Sequence, residues 1–279
     1  MIRTNYHMHT KYCDGKSTAR EYILKAIDED MMAIGITAHS PVPFHSHFNM
    51  QDEQLKDYIE ELNALKKEYS NKIQVYTGLE VDFAGKETEE KIRTFKEKLD
   101  YKIGSVHFIF DEKTNDYYNI DGDINTFKKT LKIACKDNIK ELVTKYYNEL
   151  MRIVNTYDFD ILGHLDIIKK QNNNNLFFSE NESWYKELID EVLDTIKTKN
   201  KIVEINTGGI IRGYIKETYP SNWIIKRCNE KEIPIVLNSD AHHANDLNLY
   251  LEKTAKTAKS LGYKQQRVLV DNIWQDIDI

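Results

Sequence analysis

Short apolar runs recur along the chain and are separated by longer amphipathic stretches. The short runs have the length and the β-branched content of buried strands. The stretches between them repeat apolar residues every three or four positions, as helices with one buried face do. We predict seven strands, at residues 3–7, 33–37, 73–81, 101–108, 159–165, 202–205 and 233–237. We predict helices at residues 18–30, 51–69, 87–99, 125–157, 182–199, 222–230 and 247–261.

Strands and helices that alternate in this way favour a parallel sheet. The predicted fold is α/β, a distorted TIM-like (β/α)7 barrel, and an open doubly wound sheet is the second choice. No Gly/Ser-rich linker divides the chain, so residues 1–279 are predicted to form one domain. The asparagine run at residues 172–175 is predicted to be a surface loop.

Composition and charge favour a globular protein and argue against several other classes. Hydrophobic residues make up 41% of the chain and charged residues 30%, which is typical of a folded globular protein. The formal net charge is -6 without a cationic region, so nucleic acid is not an expected partner. The three cysteines are far apart and form no CxxC pair, and we see neither a signal peptide nor a membrane span. A cytoplasmic location is therefore expected, and the oligomeric state stays open.

Histidines and carboxylates recur where the predicted strands end. In a parallel barrel the carboxyl ends of the strands meet on one face, so these side chains are expected to share one pocket. Imidazole and carboxylate ligands without thiolate suit divalent zinc, iron or manganese, and a carboxylate such as Glu80 can bridge two ions. The predicted metal ligands are His7, His9, Asp14, His39, Glu80, His107, His164, Asp240 and His242.

The segments around these residues resemble a known family. HMHT, TAHSPVPF, GLEVDF, GSVHF, GHLDII and NSDAHH are similar to the motifs of the polymerase and histidinol phosphatase (PHP) superfamily, over residues 6–261. Within it, TAHSPVP, GSVHF and INTGGIIRGYIKETYPS most resemble monofunctional histidinol-phosphate phosphatases. One departure is Ala38, where the family often has aspartate; no predicted ligand is affected.

The resemblance implies three metal positions and a reaction. The positions are His7, His9, Glu80 and Asp240; Glu80, His107 and His164; and Asp14, His39 and His242. The implied reaction is the hydrolysis of L-histidinol phosphate in histidine biosynthesis, with a hydroxide held between two ions as the nucleophile. Arg212, in GGIIRG, is expected to bind the phosphate, and Asp240 or His242 to pass a proton to the leaving oxygen.

Other functions stay open from the sequence. A small-molecule phosphatase of broader specificity, a PHP-type nuclease and a related amidohydrolase are the alternatives among enzymes. A metal-storage or metal-sensing protein is the alternative without catalysis, because ligands alone do not prove turnover.

Several polar residues lie near the predicted ligands but are not predicted to bind metal. His45 and His47 form a second HxH in a loop and are expected to lie in a lid or in solvent, with substrate contact as the alternative. His243 is expected to point away from the ion that His242 binds. Polar and aromatic residues beside the strand ends are expected to orient ligands, touch substrate, or serve as capping and packing residues: Ser40, Asp82, Phe83, Ser105, Asp166 and Asn206.

Overall fold

A parallel sheet of seven strands forms the centre of the protein. The computed structural model describes residues 2–279, without the side chains of residues 85–87 and 96. The strands are β1 Thr4–Asn5, β2 Ala33–Ile36, β3 Gln74–Asp82, β4 Tyr101–Ser105, β5 Phe108–Asp111, β6 Asp116–Asn119, β7 Ile161–Leu162, β8 Ile202–Asn206, β9 Ile235–Asn238, β10 Gln265–Val270 and β11 Ile273–Asp278. The helices are α1 Ala19–Asp28, α2 Gln54–Glu68, α3 Gly85–Arg93, α4 Ile124–Cys135, α5 Ile139–Thr156, α6 Ser183–Thr198, α7 Gly208–Ile211, α8 Asn222–Glu230 and α9 Leu251–Ser260.

The seven central strands form a nearly closed barrel. Their order is β1-β2-β3-β4-β7-β8-β9, and every neighbouring pair is parallel. The ends of the sheet approach each other just beyond β1 and β9, where Met8 and Ala241 form a parallel bridge. The His9 N–H donates to the carbonyl of Ala241 at 2.8 Å. This arrangement confirms the predicted distorted (β/α)7 barrel, and the open doubly wound sheet was wrong.

A hairpin that we did not predict fills the amino-terminal end of the barrel. Strands β10 and β11 pair antiparallel and contribute Val268, Leu269 and Val270 to an apolar cluster with residues from the starts of the barrel strands. The Tyr6 hydroxyl donates to the carbonyl of Leu269 at 2.8 Å, and Tyr101 donates to the carbonyl of Tyr6 at 2.6 Å. The hairpin therefore closes the end of the barrel opposite the predicted ligands.

The helix predicted at residues 125–157 is two helices. Helix α4 ends at Cys135, and Lys136 and Asp137 adopt left-handed backbone conformations with φ of 49° and 64°. Asn138 then caps α5 by accepting from the Glu141 N–H at 3.1 Å. The apolar spacing continues on both sides of this turn, which is why the sequence suggested one helix. Within residues 2–279, no helix is both long enough and apolar enough to cross a bilayer.

Several predicted strand bounds were wrong beside the site. The strand predicted at residues 101–108 ends at Ser105, and Phe108 begins a separate antiparallel hairpin with β6. The strands predicted at residues 3–7 and 159–165 are two-residue strands, because the chain leaves the sheet where its polar side chains turn toward the pocket. Residues 173–175 form an exposed 3-10 turn, which confirms the predicted surface loop for these three residues. Asn172, the first residue of the predicted loop, is buried, and its side chain accepts from the backbone N–H groups of Phe177 and Phe178.

Candidate metal centre

The carboxyl ends of the barrel strands surround a cavity of about 660 Å³. Seven of the nine predicted metal ligands line it together with Arg212. These seven are Asp14, His39, Glu80, His107, His164, Asp240 and His242. The remaining two, His7 and His9, are buried against them, with 0% and 1% of their surface exposed. The barrel thus brings together residues that are more than two hundred positions apart in the chain.

Glu80 lies at the centre of this group, and its two carboxylate oxygens face different histidines. Oε2 lies 2.9 Å from Nδ1 of His39 and 3.2 Å from Nε2 of His7. Oε1 lies 2.9 Å from Nε2 of His164 and accepts from the Ser105 hydroxyl at 2.7 Å. A carboxylate in this position has the geometry required to bridge two ions.

The potential ligand atoms fall into overlapping groups. Within each group, the atoms lie within 4.8 Å of one another across the described part of the chain. The groups are His9, Asp14, His39 and His242; His7, His9 and Asp240; Glu80, His107 and His164; and His39, Asp82 and His107. The first three groups contain every ligand of the three predicted positions except one. Glu80 is absent from the group that contains His7, His9 and Asp240. Glu80 joins that position through its Oε2 contact with His7.

Unpaired buried atoms fit a site built for cations. Among the described residues, Nε2 of His7 and Oε2 of Glu80 are buried and make no hydrogen bond, although they lie 3.2 Å apart. Such atoms are costly unless something else binds them. Burial, followed by the nearby His242 and His39, lowers the pKa of His9 to about 3. The His9 imidazole is therefore neutral, which is the form that binds a metal ion. Although burial opposes it, the carboxylates beside His7, His39 and His107 raise the pKa of each of these rings, and a bound divalent ion would take the place of their protons. The residues present fit divalent metal ions.

Glu204 is a functional residue that our sequence analysis missed. Its Oε1 lies 2.6 Å from Nδ1 of His7, and its Oε2 accepts from the backbone N–H of His164 at 2.9 Å. Asn206 and Asn238 each donate to the same carboxylate at 2.9 Å. Burial opposes ionisation, but the charge of His7 outweighs it and lowers the pKa of Glu204. The signal in the sequence was a single glutamate within the apolar run of β8.

Asp82 supports a second histidine in the same way. Both carboxylate oxygens lie 3.0 Å from Nδ1 of His107, and Oδ1 also accepts from the His107 backbone N–H at 3.0 Å. Burial alone would lower the pKa of His107, but Asp82 and Glu80 raise it to about 10. These contacts orient the ring so that its Nε2 faces Glu80 and His164. Among the residues beside strand ends, Asp82 and Ser105 therefore contact the ligand set, and Asn206 also does so by donating to Oδ2 of Asp240 at 3.3 Å.

Arg212 lies at the end of α7 and borders the cavity. Its Nη2 donates to Oδ2 of Asp240 at 2.8 Å, and its Nη1 donates to the Asp240 carbonyl at 2.8 Å. Nη1 also lies 3.0 Å from Nδ1 of His242. The Arg212 side chain is 26% exposed, so a ligand in the cavity can reach its guanidinium. The structure thus places Arg212 beside the predicted ligands.

The three histidines that were not predicted as ligands lie at the edge of the centre. His45 and His47 are exposed, with ring centroids 4.6 Å apart, and belong to none of the ligand groups. In the same loop, the ring of Phe48 packs against His39 at 4.8 Å and covers one side of the cavity. His243 borders the cavity but uses its Nδ1 to accept from the Asn245 N–H at 3.1 Å.

Comparison with known proteins identifies the family of this chain. The PHP domain family matches residues 5–208. The histidinol-phosphatase of Bacillus subtilis is 30% identical over 269 residues, covering 90% of this chain and 98% of that protein. A crystal structure of a candidate histidinol phosphatase from Listeria monocytogenes has a TM-score of 0.78 at 21% identity, covering 90% of this chain and 99% of that one. The histidinol phosphate phosphatase of Lactococcus lactis, solved with zinc, L-histidinol and phosphate, has a TM-score of 0.70 at 20% identity, covering 98% of both chains. The chain therefore belongs to the PHP domain family.

Proposed function

We propose that this protein is a metal-dependent phosphomonoesterase that hydrolyses L-histidinol phosphate to L-histidinol and phosphate. The single observation that carries the proposal is the position of Glu80, whose two oxygens face separate groups of histidines inside one cavity. The similarity to the Bacillus subtilis histidinol-phosphatase along nearly the whole of both chains supports the choice of substrate. The Lactococcus lactis enzyme was solved with L-histidinol and phosphate, which are the two products of the proposed reaction, and this supports the same choice of substrate.

The residues fit three divalent ions, with zinc, iron or manganese as the expected metals. We assign His7, His9, Glu80 and Asp240 to the first ion, and Glu80, His107 and His164 to the second. Asp14, His39 and His242 would hold the third. When bound, such ions supply a nucleophile at neutral pH and neutralise the charge of the phosphate. Glu204 and Asp82 hold His7 and His107 by their Nδ1 atoms, which leaves the Nε2 atoms as the ones that would bind ions.

Arg212 supplies the positive charge that the protein itself contributes to phosphate binding. A guanidinium suits phosphate oxygens because its donors lie in one plane and its charge persists at every physiological pH. Its contacts with Asp240 hold it at the wall of the cavity. Storage of metal ions would not require such a group, and this weighs against a storage or sensing role.

The two residues predicted as proton donors differ in suitability. Burial opposes the ionisation of Asp240, but Arg212 and His7 outweigh it and hold the pKa of Asp240 well below its usual range. Asp240 therefore keeps its negative charge and is a poor source of protons. His242 borders the cavity with 20% of its side chain exposed, so it is the better placed of the two to pass a proton to the leaving oxygen, which it could do only while its bond to the third ion is broken.

A substrate panel tests the proposed function. Turnover of L-histidinol phosphate, p-nitrophenyl phosphate, other phosphomonoesters and single-stranded DNA would be compared by kcat/KM on zinc- or manganese-loaded protein. We expect selective release of phosphate from L-histidinol phosphate. Similar rates for all monoesters would indicate a broad phosphatase, and cleavage of DNA would indicate a nuclease. Tight metal binding without turnover would indicate storage or sensing.

We also propose a cytoplasmic location. Cys13, Cys135 and Cys228 are all free thiols in the described chain, and a reducing compartment maintains such thiols.

A further inference from the structure

We propose that Lys169 is a positioning residue, which holds Arg212 at the cavity by fixing the loop between β8 and α8 from inside the protein. This inference deepens the proposed function and rests on it, because the effect on catalysis would come through the phosphate contact assigned to Arg212. Lys169 lies on the 3-10 turn Ile167–Gln171 after β7, and its side chain is only 5% exposed. It is not among the described residues that line the cavity.

The loop between β8 and α8 is closed at its base by two backbone hydrogen bonds. The Tyr219 N–H donates to the Asn206 carbonyl at 3.0 Å, and the Asn206 N–H donates to the Tyr219 carbonyl at 2.7 Å. Between these two residues the chain forms α7, and Arg212 lies at the end of this helix. A helix of four residues is too short to be stable by itself, so its position depends on what packs against it.

Tyr219 connects the base of the loop to α7. A methyl group added to Gly209 would lie 2.6 Å from Cε2 of Tyr219, so the buried tyrosine ring is in close contact with the helix backbone. The Gly209 carbonyl accepts from the Tyr214 N–H at 2.8 Å, which closes the turn that follows Arg212. A shift of Tyr219 would therefore move α7 and the Arg212 guanidinium with it.

Lys169 holds the chain on both sides of Tyr219. Its ammonium donates to the Thr218 carbonyl at 3.0 Å and to the Ser221 hydroxyl at 2.6 Å. The same ammonium lies 5.5 Å from the centroid of the Tyr219 ring. Asp166 completes the cluster, because its Oδ2 lies 2.9 Å from the ammonium and accepts from the Ser221 N–H at 2.9 Å. One buried cation thus fixes three positions at the end of the loop.

Positioning explains the burial of this ion pair better than stability does. A buried ion pair loses its hydration on folding, and apolar residues of similar volume often stabilise a protein equally well. Such a pair instead favours one conformation, in which both charges have their hydrogen-bond partners. Here that conformation is the one in which Arg212 donates to Asp240 at the wall of the cavity.

Binding of inorganic phosphate tests this inference without requiring turnover. Calorimetric titrations on zinc-loaded protein would compare the wild type, Lys169→Met, Arg212→Ala and the double variant. We expect Lys169→Met to bind phosphate about 10-fold more weakly at unchanged metal content. In the Arg212→Ala background, Lys169→Met should cause little further loss, because a residue that acts through Arg212 has no effect once Arg212 is removed.

Hydrogen exchange reports on the loop itself. The N–H groups of Ile211 and Arg212 each donate to the carbonyl four residues earlier at 3.0 Å. In Lys169→Met we expect these amides to exchange about 10-fold faster or more, because α7 opens when the end of its loop is released. The amides at residues 203–205, inside β8, should keep their wild-type rates.

Lys197→Met is the matched control. Lys197 lies at the end of α6, is 46% exposed, and donates to the Glu232 carbonyl at 3.0 Å. This variant removes one charge and one hydrogen bond to a carbonyl, and it should retain wild-type phosphate affinity and wild-type exchange in α7. Ser221→Ala is the variant to use if Lys169→Met does not fold. It removes one partner of the Lys169 ammonium but keeps the buried ion pair, and we expect the same effects at a smaller size.

Wild-type phosphate affinity or wild-type exchange in α7 for Lys169→Met would overturn the inference. A loss of phosphate affinity that is equally large in the Arg212→Ala background would overturn it too, because Lys169 would then act by another route. If Arg212→Ala itself bound phosphate normally, the role of Arg212 in the proposed function would fail, and the exchange rates would decide whether Lys169 holds α7. A wild type without turnover would refute the proposed function and leave both measurements valid.

Discussion

Oε1 of Glu204 lies 2.6 Å from Nδ1 of His7, although the two residues are 197 positions apart. Both side chains are fully buried. A carboxylate behind a histidine fixes the orientation of the ring and strengthens the opposite nitrogen as a ligand. The same carboxylate also receives hydrogen bonds from His164, Asn206 and Asn238, so it holds three strands of the barrel around the metal centre.

Glu204→Gln should weaken metal binding. The side-chain amide of the new glutamine would point N–H groups at neighbours that now donate hydrogen bonds to the Glu204 carboxylate. His7 would also lose its negatively charged partner. We expect metal affinity to fall about 10- to 100-fold, and the free energy of unfolding to fall by about 1–3 kcal/mol. Competition with a chelator measures the first effect and urea denaturation the second. Glu191→Gln, on the exposed face of α6, is the control; unchanged affinity in Glu204→Gln would rule out this supporting role.

Arg212→Ala should reduce activity without loss of the metals. Arg212 is not among the assigned ligands, but its removal eliminates a positive charge beside the phosphate. We expect kcat/KM for L-histidinol phosphate to fall about 100- to 1000-fold, and inhibition by inorganic phosphate to weaken. Arg212→Lys should recover only part of the loss, because lysine lacks the planar pair of donors. If activity and phosphate inhibition stayed normal with full metal content, Arg212 would serve only to hold Asp240.

The two HxH motifs should respond differently to substitution. His7→Ala removes a buried side chain that contacts Glu80, whereas His45 and His47 are exposed and lie outside the ligand groups. The double variant His45→Ala/His47→Ala should therefore bind the same number of ions per chain as the wild type, as measured by elemental analysis. His7→Ala should bind fewer. A loss of metal in the double variant would show that this loop takes part in the centre.

Gly35→Ala should destabilise the barrel at its closed end. A methyl group at this position would lie 2.2 Å from the hydroxyl oxygen of Tyr101, which is packed against the β10–β11 hairpin. We expect the free energy of unfolding to fall by about 1–3 kcal/mol, as for other overpacked cores. Urea denaturation measures the change.

Gly213→Ala is the control for this substitution. Gly213 has a φ of 72°, and among the described residues no atom lies within 4 Å of an added methyl group. Only the backbone preference should contribute, at about 1 kcal/mol. A loss in Gly35→Ala no larger than in Gly213→Ala would show that the Tyr101 cluster adjusts freely.

The sequence was sufficient to predict the barrel and to predict that the candidate ligands meet at one end of it. Polar residues such as His39 and His164 directly follow apolar runs, and parallel topology brings such positions to one end. The partners behind the ligands were harder to predict. Glu204 is inside a strand rather than at its end, and its role depends on His7, a distant neighbour that no local pattern identifies.

Three further features were missed for local reasons. The turn at Lys136 and Asp137 contains neither glycine nor proline, so nothing in the composition interrupted the helical spacing. The β5–β6 hairpin is separated from β4 by two residues, and the strand predicted at residues 101–108 ran across this break and stopped at the first residue of β5. The β10–β11 hairpin lies beyond the repeating strand and helix pattern.

Phosphate release from L-histidinol phosphate by metal-stripped and reloaded protein, with wild type and Glu80→Gln in parallel, tests the central claim most directly. The wild type should be inactive when stripped and should recover turnover with zinc or manganese, while Glu80→Gln should remain about 1000-fold slower or worse after the same treatment. Turnover by the stripped wild type, or normal turnover by Glu80→Gln, would contradict a mechanism that depends on metal ions bridged by Glu80.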